Sequence, residues 1–266
     1  MTDVSRASLT GAAIGRKVLP FVGAAAFLLL WELACWIYQI RPVLLPAPSL
    51  IIAELAQSPL WFAQQAAYTL GITLAGFVVA AVLGVLFAVV ITEWTVLDRL
   101  LFPLFVALNS VPKVALAPLC IIWFGTGAEP KIAIAFLIAV FAVVIDTILG
   151  LRSVPSDTID LARTLRGSRW KVLTRIKLYC ALPHLFAGLK VAMSLALVGA
   201  IVGEFVSSQR GLGYVILSAQ GMFDTPRVFA AIAILAVLGV LLMEAVSLAE
   251  RLALPWHHSA ARSSGH

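Results

Sequence analysis

Charge is scarce in this 266-residue chain: 12% of its residues are Asp, Glu, Lys or Arg and 62% are apolar, against roughly 25% and 45–50% in soluble domains. A water-soluble shell cannot be built from that composition, so the fold class is an all-α membrane protein. Cysteine is scarce as well. Cys35, Cys120 and Cys180 are odd in number, lack CxxC spacing and sit in or beside apolar runs, which points to small core side chains rather than a disulfide framework or a metal site. No GxxxxGK[ST] phosphate loop occurs, so the chain is not expected to bind or hydrolyse ATP itself, and no bound cofactor is expected. The run Gly125-Thr126-Gly127-Ala128-Glu129-Pro130-Lys131 is glycine-containing but wrongly spaced.

Histidine is missing from the middle of every apolar run: His184 lies near one end, and His257, His258 and His266 lie in the tail. Ser110 and Ser194 therefore have no histidine base, which argues against an intramembrane serine protease. These serines are read as bonding to helix carbonyls. The net charge of +6 does not imply a nucleic-acid partner, because the basic residues fall in the short segments between apolar runs, where they set membrane orientation.

What is present is a series of long apolar stretches. Six spans are read, at about Leu19–Tyr38, Ala67–Ile91, Leu100–Phe124, Ile132–Leu151, Leu182–Gly203 and Val228–Leu248, each near the roughly 20 residues a helix needs to cross a bilayer. The first is a retained anchor rather than a signal peptide, being long, rich in Trp31, Glu32 and Trp36, and not followed by a small-x-small site. With the amino terminus inside, the inner segments hold Arg6, Arg16, Lys17, Arg99, Arg152, the basic run from Arg163 to Lys177, Arg251 and Arg262. The outer ones hold only Arg41, Lys131, Arg210 and Arg227. Both termini are thus predicted cytoplasmic. The organisation expected is a tail over 1–18, one transmembrane domain over 19–251 with a cytoplasmic loop over 152–181, and a second tail over 252–266.

Small residues recur every fourth position in two spans, Gly76, Ala80, Gly84, Ala88 and Gly188, Ala192, Ala196, Ala200. Such stripes allow close helix approach. The third span is interrupted by Pro103, Asn109, Pro112, Lys113 and Pro118. Proline frees backbone carbonyls that then need protein or water partners. An ammonium near mid-membrane costs at least about 2.5–3.5 kcal/mol. Lys113 is therefore expected either to line a solute path with Asn109 and Pro112, to pair with Asp146, or to snorkel.

The long loop between the fourth and fifth spans is the most informative segment. Pro155, Ser156 and Asp157 give a helix start, with Ser156 or Asp157 as cap. Ile159, Ala162 and Leu165 share one helical face. Gly167 and Ser168 give a break and a new cap, and Trp170, Leu173 and Ile176 suggest a second amphipathic piece. On charge pattern alone, a basic loop lying on anionic lipid is the favoured reading.

At these residues the sequence resembles the permease subunits of ATP-binding-cassette importers, in the nitrate, sulfonate and taurine branch. That family's signature runs Glu-Ala-Ala, three residues, Gly, nine residues, Ile, one residue, Leu-Pro. This chain reads Asp160-Leu161-Ala162, then Arg166 at the glycine position with Gly167 one place later, then Ile176 and Leu178-Tyr179, with Leu182-Pro183 close behind. Further similarity covers roughly residues 42–256: Leu45-Pro46-Ala47-Pro48-Ser49, Val111-Pro112-Lys113 through Pro118-Leu119 and Trp123-Phe124-Gly125, Gly203-Glu204-Phe205, and Gly211-Leu212-Gly213-Tyr214.

The resemblance implies a type I importer permease fold with six transmembrane helices in the bacterial inner membrane. It also implies a second permease copy in a homodimer, two cytoplasmic ATPase subunits that carry ATP and Mg, and a periplasmic substrate-binding protein. By the same resemblance, Asp160, Leu161, Ala162, Arg163, Leu165, Arg166, Gly167, Ser168 and Ile176 would couple to the ATPase. Asn109, Pro112, Lys113 and Glu204 would belong to the path of a small anionic or heterocyclic solute. The rival class is an ion-coupled secondary transporter, for which Glu32, Asp146, Glu204 and Glu244 are the candidate carboxylates.

Overall fold

A computed structural model describes residues 4–165 and 168–255, with the side chains of 4–18, 20, 21, 163 and 169 outside the description. Every regular element among the described residues is helical. α1 spans Val4–Ile37, α2 Pro48–Gln57 and α3 Pro59–Glu93. α4 (Thr95–Asn109) leads through a 3-10 turn, Lys113–Leu116, into α5 (Ala117–Phe124). After α6 (Glu129–Arg152) come the short α7 (Ser156–Thr164) and α8 (Arg169–Val172). A π turn, Leu173–Lys177, joins α8 to α9 (Leu178–Ser207), and α10 (Leu212–Gly221) and α11 (Thr225–Ala253) complete the order. Pro48, Pro118 and Pro130 each sit in the first two positions of their helices, where a missing N–H costs nothing. Glu129 at the start of α6 and Arg152 at its end match the helix dipole.

α3, α6, α11 and the continuous run Trp170–Ser207 are each long and apolar enough to cross a bilayer. The described apolar stretch of α1, Val22–Ile37, is shorter than these. The third span read from hydropathy is not one helix. α4 and the segment Lys113–Phe124 meet at 89°, because Pro112 takes an extended conformation (φ −67°, ψ 94°) and cannot donate the bond that would continue α4.

The chain divides into two compact units. One runs up to Leu60 and resumes over Ile216–Ile232; the other comprises Trp61–Val215 and the residues from Ala233. In the first, the Glu32 carboxylate accepts bonds from the Ser49 backbone N–H (3.0 Å) and hydroxyl (2.7 Å), and so caps the start of α2. Arg227 pairs with Glu54 at 2.7 Å, and Thr225 donates to the Val43 carbonyl at 2.7 Å.

The second unit is organised on α6, against which the small-residue stripes of α3 and α9 both pack. Gly76 and Gly84 of α3 face Ala135 and Val143, and Gly188, Gly199 and Gly203 of α9 face Asp146, Ala135 and Lys131. A methyl group at Gly199 would fall 2.6 Å from the Ala135 Cα, so the two backbones approach as closely as glycine allows. In lipid, where burying apolar surface gives helices no preference for each other, this close packing is the attraction that remains. Ala80, Ala88, Ala139, Val143, Ala192 and Ala196 are buried at the centre. Cys120 is buried where α5 meets α6; Cys35 is also buried, and Cys180 is exposed.

Candidate coupling loop and substrate path

The segment between α6 and α9 forms a small helical projection. α7 begins at Ser156, one of the two residues read as its cap, so Asp157 falls in the first turn and Asp160 lies further along. Ser168 accepts a bond from the Lys171 N–H at 3.3 Å and caps α8, as its position after Gly167 suggested. The inner side of the projection is fixed by Leu173, which is 3% exposed and packs with Leu151 and Ala181. Ile159, Ala162 and Ile176 are half-buried, while Asp160 and Ser168 are exposed. The residues grouped by spacing do not share one degree of burial. Leu165 and Trp170 do not turn inward but are 76% and 70% exposed, together with Leu161 at 62%, because a projection this small has only one packed side. Arg166 and Gly167 lie outside the described residues, as does the side chain of Arg163.

The proline-broken span brings Asn109 and Lys113 together. The Lys113 ammonium donates to the Asn109 carbonyl (2.8 Å) and to its side-chain oxygen (2.9 Å) and stands 4.7 Å from the centre of the Phe141 ring. It thus satisfies a carbonyl at the end of α4 that would be left open by the break. Asn109 and Pro112 are exposed. The alternative pairing with Asp146 is not formed: Asp146 lies where α6 meets Gly188 of α9.

Glu204 does not join this group. It is 1% exposed, and its oxygens accept bonds from the Thr69 hydroxyl (2.8 and 3.1 Å) and the Gly213 N–H (2.7 Å). Thr69 in turn accepts from the Leu212 N–H at 2.8 Å, and Gln65 accepts from the Gly211 N–H at 2.7 Å. Gly211 has φ +100°, a conformation glycine adopts without strain. The carboxylate and these two α3 side chains therefore pin the turn between α9 and α10. In this conformation the Glu204 carboxylate, expected on the solute path, has its oxygens committed inside the chain.

Sequence reasoning also missed Lys190, which pairs with Glu250 at 2.5 Å and ties α9 to α11. A lysine inside an apolar run was itself the signal to look for an acid at matching depth. Of the remaining carboxylates, Glu244 lines an open groove of about 540 Å³ with Ser194 and Met243.

Residues 80–252 match the family described as the binding-protein-dependent transport system inner membrane component. The chain belongs to that family. This permease is 34% identical over 264 residues to the riboflavin transport system permease protein of Chloroflexus aurantiacus, covering 96% of this chain and 98% of that one. It is also 34% identical over 232 residues to the formylaminopyrimidine transport permease protein of Halalkalibacterium halodurans, covering 86% and 92%. Among solved structures, the MetNI methionine ABC transporter in inward-facing conformations matches with a TM-score of 0.65 at 17% identity, over 73% of this chain and 96% of that one. At that identity the likeness is one of fold. The permease falls in the nitrate, sulfonate and taurine branch. It is the multi-pass inner-membrane subunit of an ATP-binding-cassette importer, and the ion-coupled alternative gains no support from these matches.

Proposed function

We propose that the permease adopts the type I importer arrangement: six spans over 19–251, both termini cytoplasmic, and two copies facing each other. Two cytoplasmic ATPase subunits holding ATP and Mg and a periplasmic binding protein complete the transporter. The loop over 152–181, with Asp160, Leu161, Ala162, Arg163, Leu165, Arg166, Gly167, Ser168 and Ile176, docks in a groove of the ATPase. The observation that carries this reading is the exposed apolar set Leu161, Leu165 and Trp170 on a projection anchored by buried Leu173. A loop lying on lipid headgroups through its arginines alone would have no need of that anchor. Exposed clusters of large apolar groups on a rigid base mark protein contacts.

ATP binding would close the ATPase pair, draw the two loops together and open the path outward; hydrolysis would release them. ATP can drive this only by binding the closed pair more tightly than the open one. Asn109, Pro112 and Lys113, at the bent span between α4 and α5, are the path candidates, with Glu204 joining them only if its carboxylate is freed in another state of the cycle. The solute proposed is a small heterocycle. Two full-length relatives are named for riboflavin and formylaminopyrimidine, and the Lys113 ammonium is already committed to Asn109, which weakens the case for an anion.

The coupling reading is tested by Asp160→Lys. Binding-protein-stimulated ATP hydrolysis is expected to disappear while membrane insertion stays intact; unchanged stimulation would remove the loop assignment. The solute class is tested by a thermal-shift screen of the cognate binding protein, where stabilisation by sulfonates or nitrate and not by pyrimidines or flavins would overturn the heterocycle.

A further inference from the structure

The loop between α6 and α9 is ion-paired at both of its ends, and both pairs reach the same turn. Where the chain enters the loop, Arg152, the last residue of α6, pairs with Asp98, and its guanidinium lies 4.5 Å from the centre of the Phe102 ring. Where the chain leaves the loop, Lys177, the last residue of the π turn, pairs with Glu93 at 2.6 Å. Glu93 ends α3, Trp94 caps α4, and Asp98 lies in the first turn of α4. The Lys177 and Glu93 side chains are 18% and 20% exposed, so water and salt screen this pair less than a surface pair.

α4 is well placed to follow such a pull. None of its residues is fully buried, and it rests on the core only through the partly buried Leu101, Phe102 and Phe105, whereas α3, α6 and α9 each bury several. It is a lever of about 22 Å, taken from its 15 residues and a rise of about 1.5 Å each. Its far end is Asn109, at the break capped by Lys113. π turns are over-represented where a helix serves a function beyond support, and here the π turn supplies the lysine that grips Glu93.

We infer that Glu93 and Asp98 are positioning residues: through Lys177 and Arg152 they carry movement of the loop into α4 and so to the Asn109–Lys113 break. This rests on the loop being the ATPase contact. Displacing the loop would drag the α3–α4 turn from both sides together with the ends of α3 and α6 that carry Glu93 and Arg152, whereas the middles of these helices, packed through Gly76 on Ala135 and Gly84 on Val143, would stay fixed. Rigid elements joined by a few polar contacts are how local events reach a distant site.

The test uses the assembled transporter in nanodiscs, with Cys180→Ser and a reporter Val111→Cys beside the break. The rate of N-ethylmaleimide labelling is compared without nucleotide and after trapping with ATP and vanadate. In the parent, trapping is expected to change the rate at least fivefold. Glu93→Gln and Lys177→Gln are each expected to shrink that change below twofold while the complex still hydrolyses ATP. The charge swap Glu93→Lys with Lys177→Glu is expected to restore it, which a loss of folding would not allow. A full nucleotide response in both single variants, or a swap that restores nothing, overturns the inference. A parent that does not respond overturns the coupling-loop reading itself, and a response lost in Asp160→Lys but kept in Glu93→Gln retains that reading while removing this one.

Discussion

Replacing Glu204 by alanine removes the acceptor for two buried donors at once. The Thr69 hydroxyl and the Gly213 N–H both point at its oxygens, at 2.7–3.1 Å, in a site where Glu204 is 1% exposed. The Thr69 hydroxyl can still donate to the Gln65 carbonyl at 3.3 Å, but the Gly213 N–H is stranded, and a buried donor without a partner costs about 1–3 kcal/mol, so the loss expected from Glu204→Ala is about 1–3 kcal/mol before any cavity cost. Glu204→Gln keeps one acceptor oxygen and should cost roughly half as much. The measurement is thermal unfolding of the purified permease in detergent, read together with solute uptake in proteoliposomes containing the full transporter. Stability and uptake should fall together, alanine more than glutamine. A Glu204→Ala protein of unchanged stability with no uptake would refute the structural role and return Glu204 to the solute path.

The α6–α9 contact leads to Gly199→Val losing about 1–3 kcal/mol by overpacking, because even a methyl group would meet the Ala135 Cα at 2.6 Å. Gly71→Ala, where nothing lies within 4 Å, should instead gain up to about 1 kcal/mol from helix propensity; thermal unfolding of both variants in one detergent checks the pair. Lys190→Met strands the Glu250 carboxylate and should destabilise by more than the double change Lys190→Met with Glu250→Met; a double variant less stable than the single would contradict the pairing. Lys113→Gln, which can still donate to Asn109, should keep uptake within twofold of the parent, whereas Lys113→Met, which cannot, should lose more than tenfold. Equal uptake in the two variants would remove the capping role.

The apolar helices were legible because hydropathy over about 20 residues reports directly on bilayer thickness. Loop positions of Arg and Lys add an orientation by a separate rule. The broken third span was half legible: Pro103, Pro112 and Pro118 announced an interruption, but the 89° bend depends on the single extended conformation at Pro112. For Lys113 the sequence left a path role with Asn109, a pair with Asp146 and snorkelling open, and the bond it makes is to Asn109 four residues earlier, a local relation that spacing alone could have offered. Glu204 was not readable in the same way, since Thr69 lies 135 residues away and no periodicity links them. The loop's helices were legible from caps and spacing, yet which apolar residues face outward was not. Leu165 and Leu173 look alike in sequence, and only packing on Leu151 and Ala181 distinguishes the buried one.

The most direct test of the permease reading is where Leu161 sits and what it touches. In a Cys180→Ser background, a Leu161→Cys variant is treated in intact cells with a membrane-impermeant maleimide, and in inverted vesicles with a short thiol cross-linker. Protection in cells, and in vesicles a cross-link to the ATPase subunit that changes when ATP is added, is the expected result. Labelling from outside intact cells, or no cross-link to the ATPase in either nucleotide state, would contradict it.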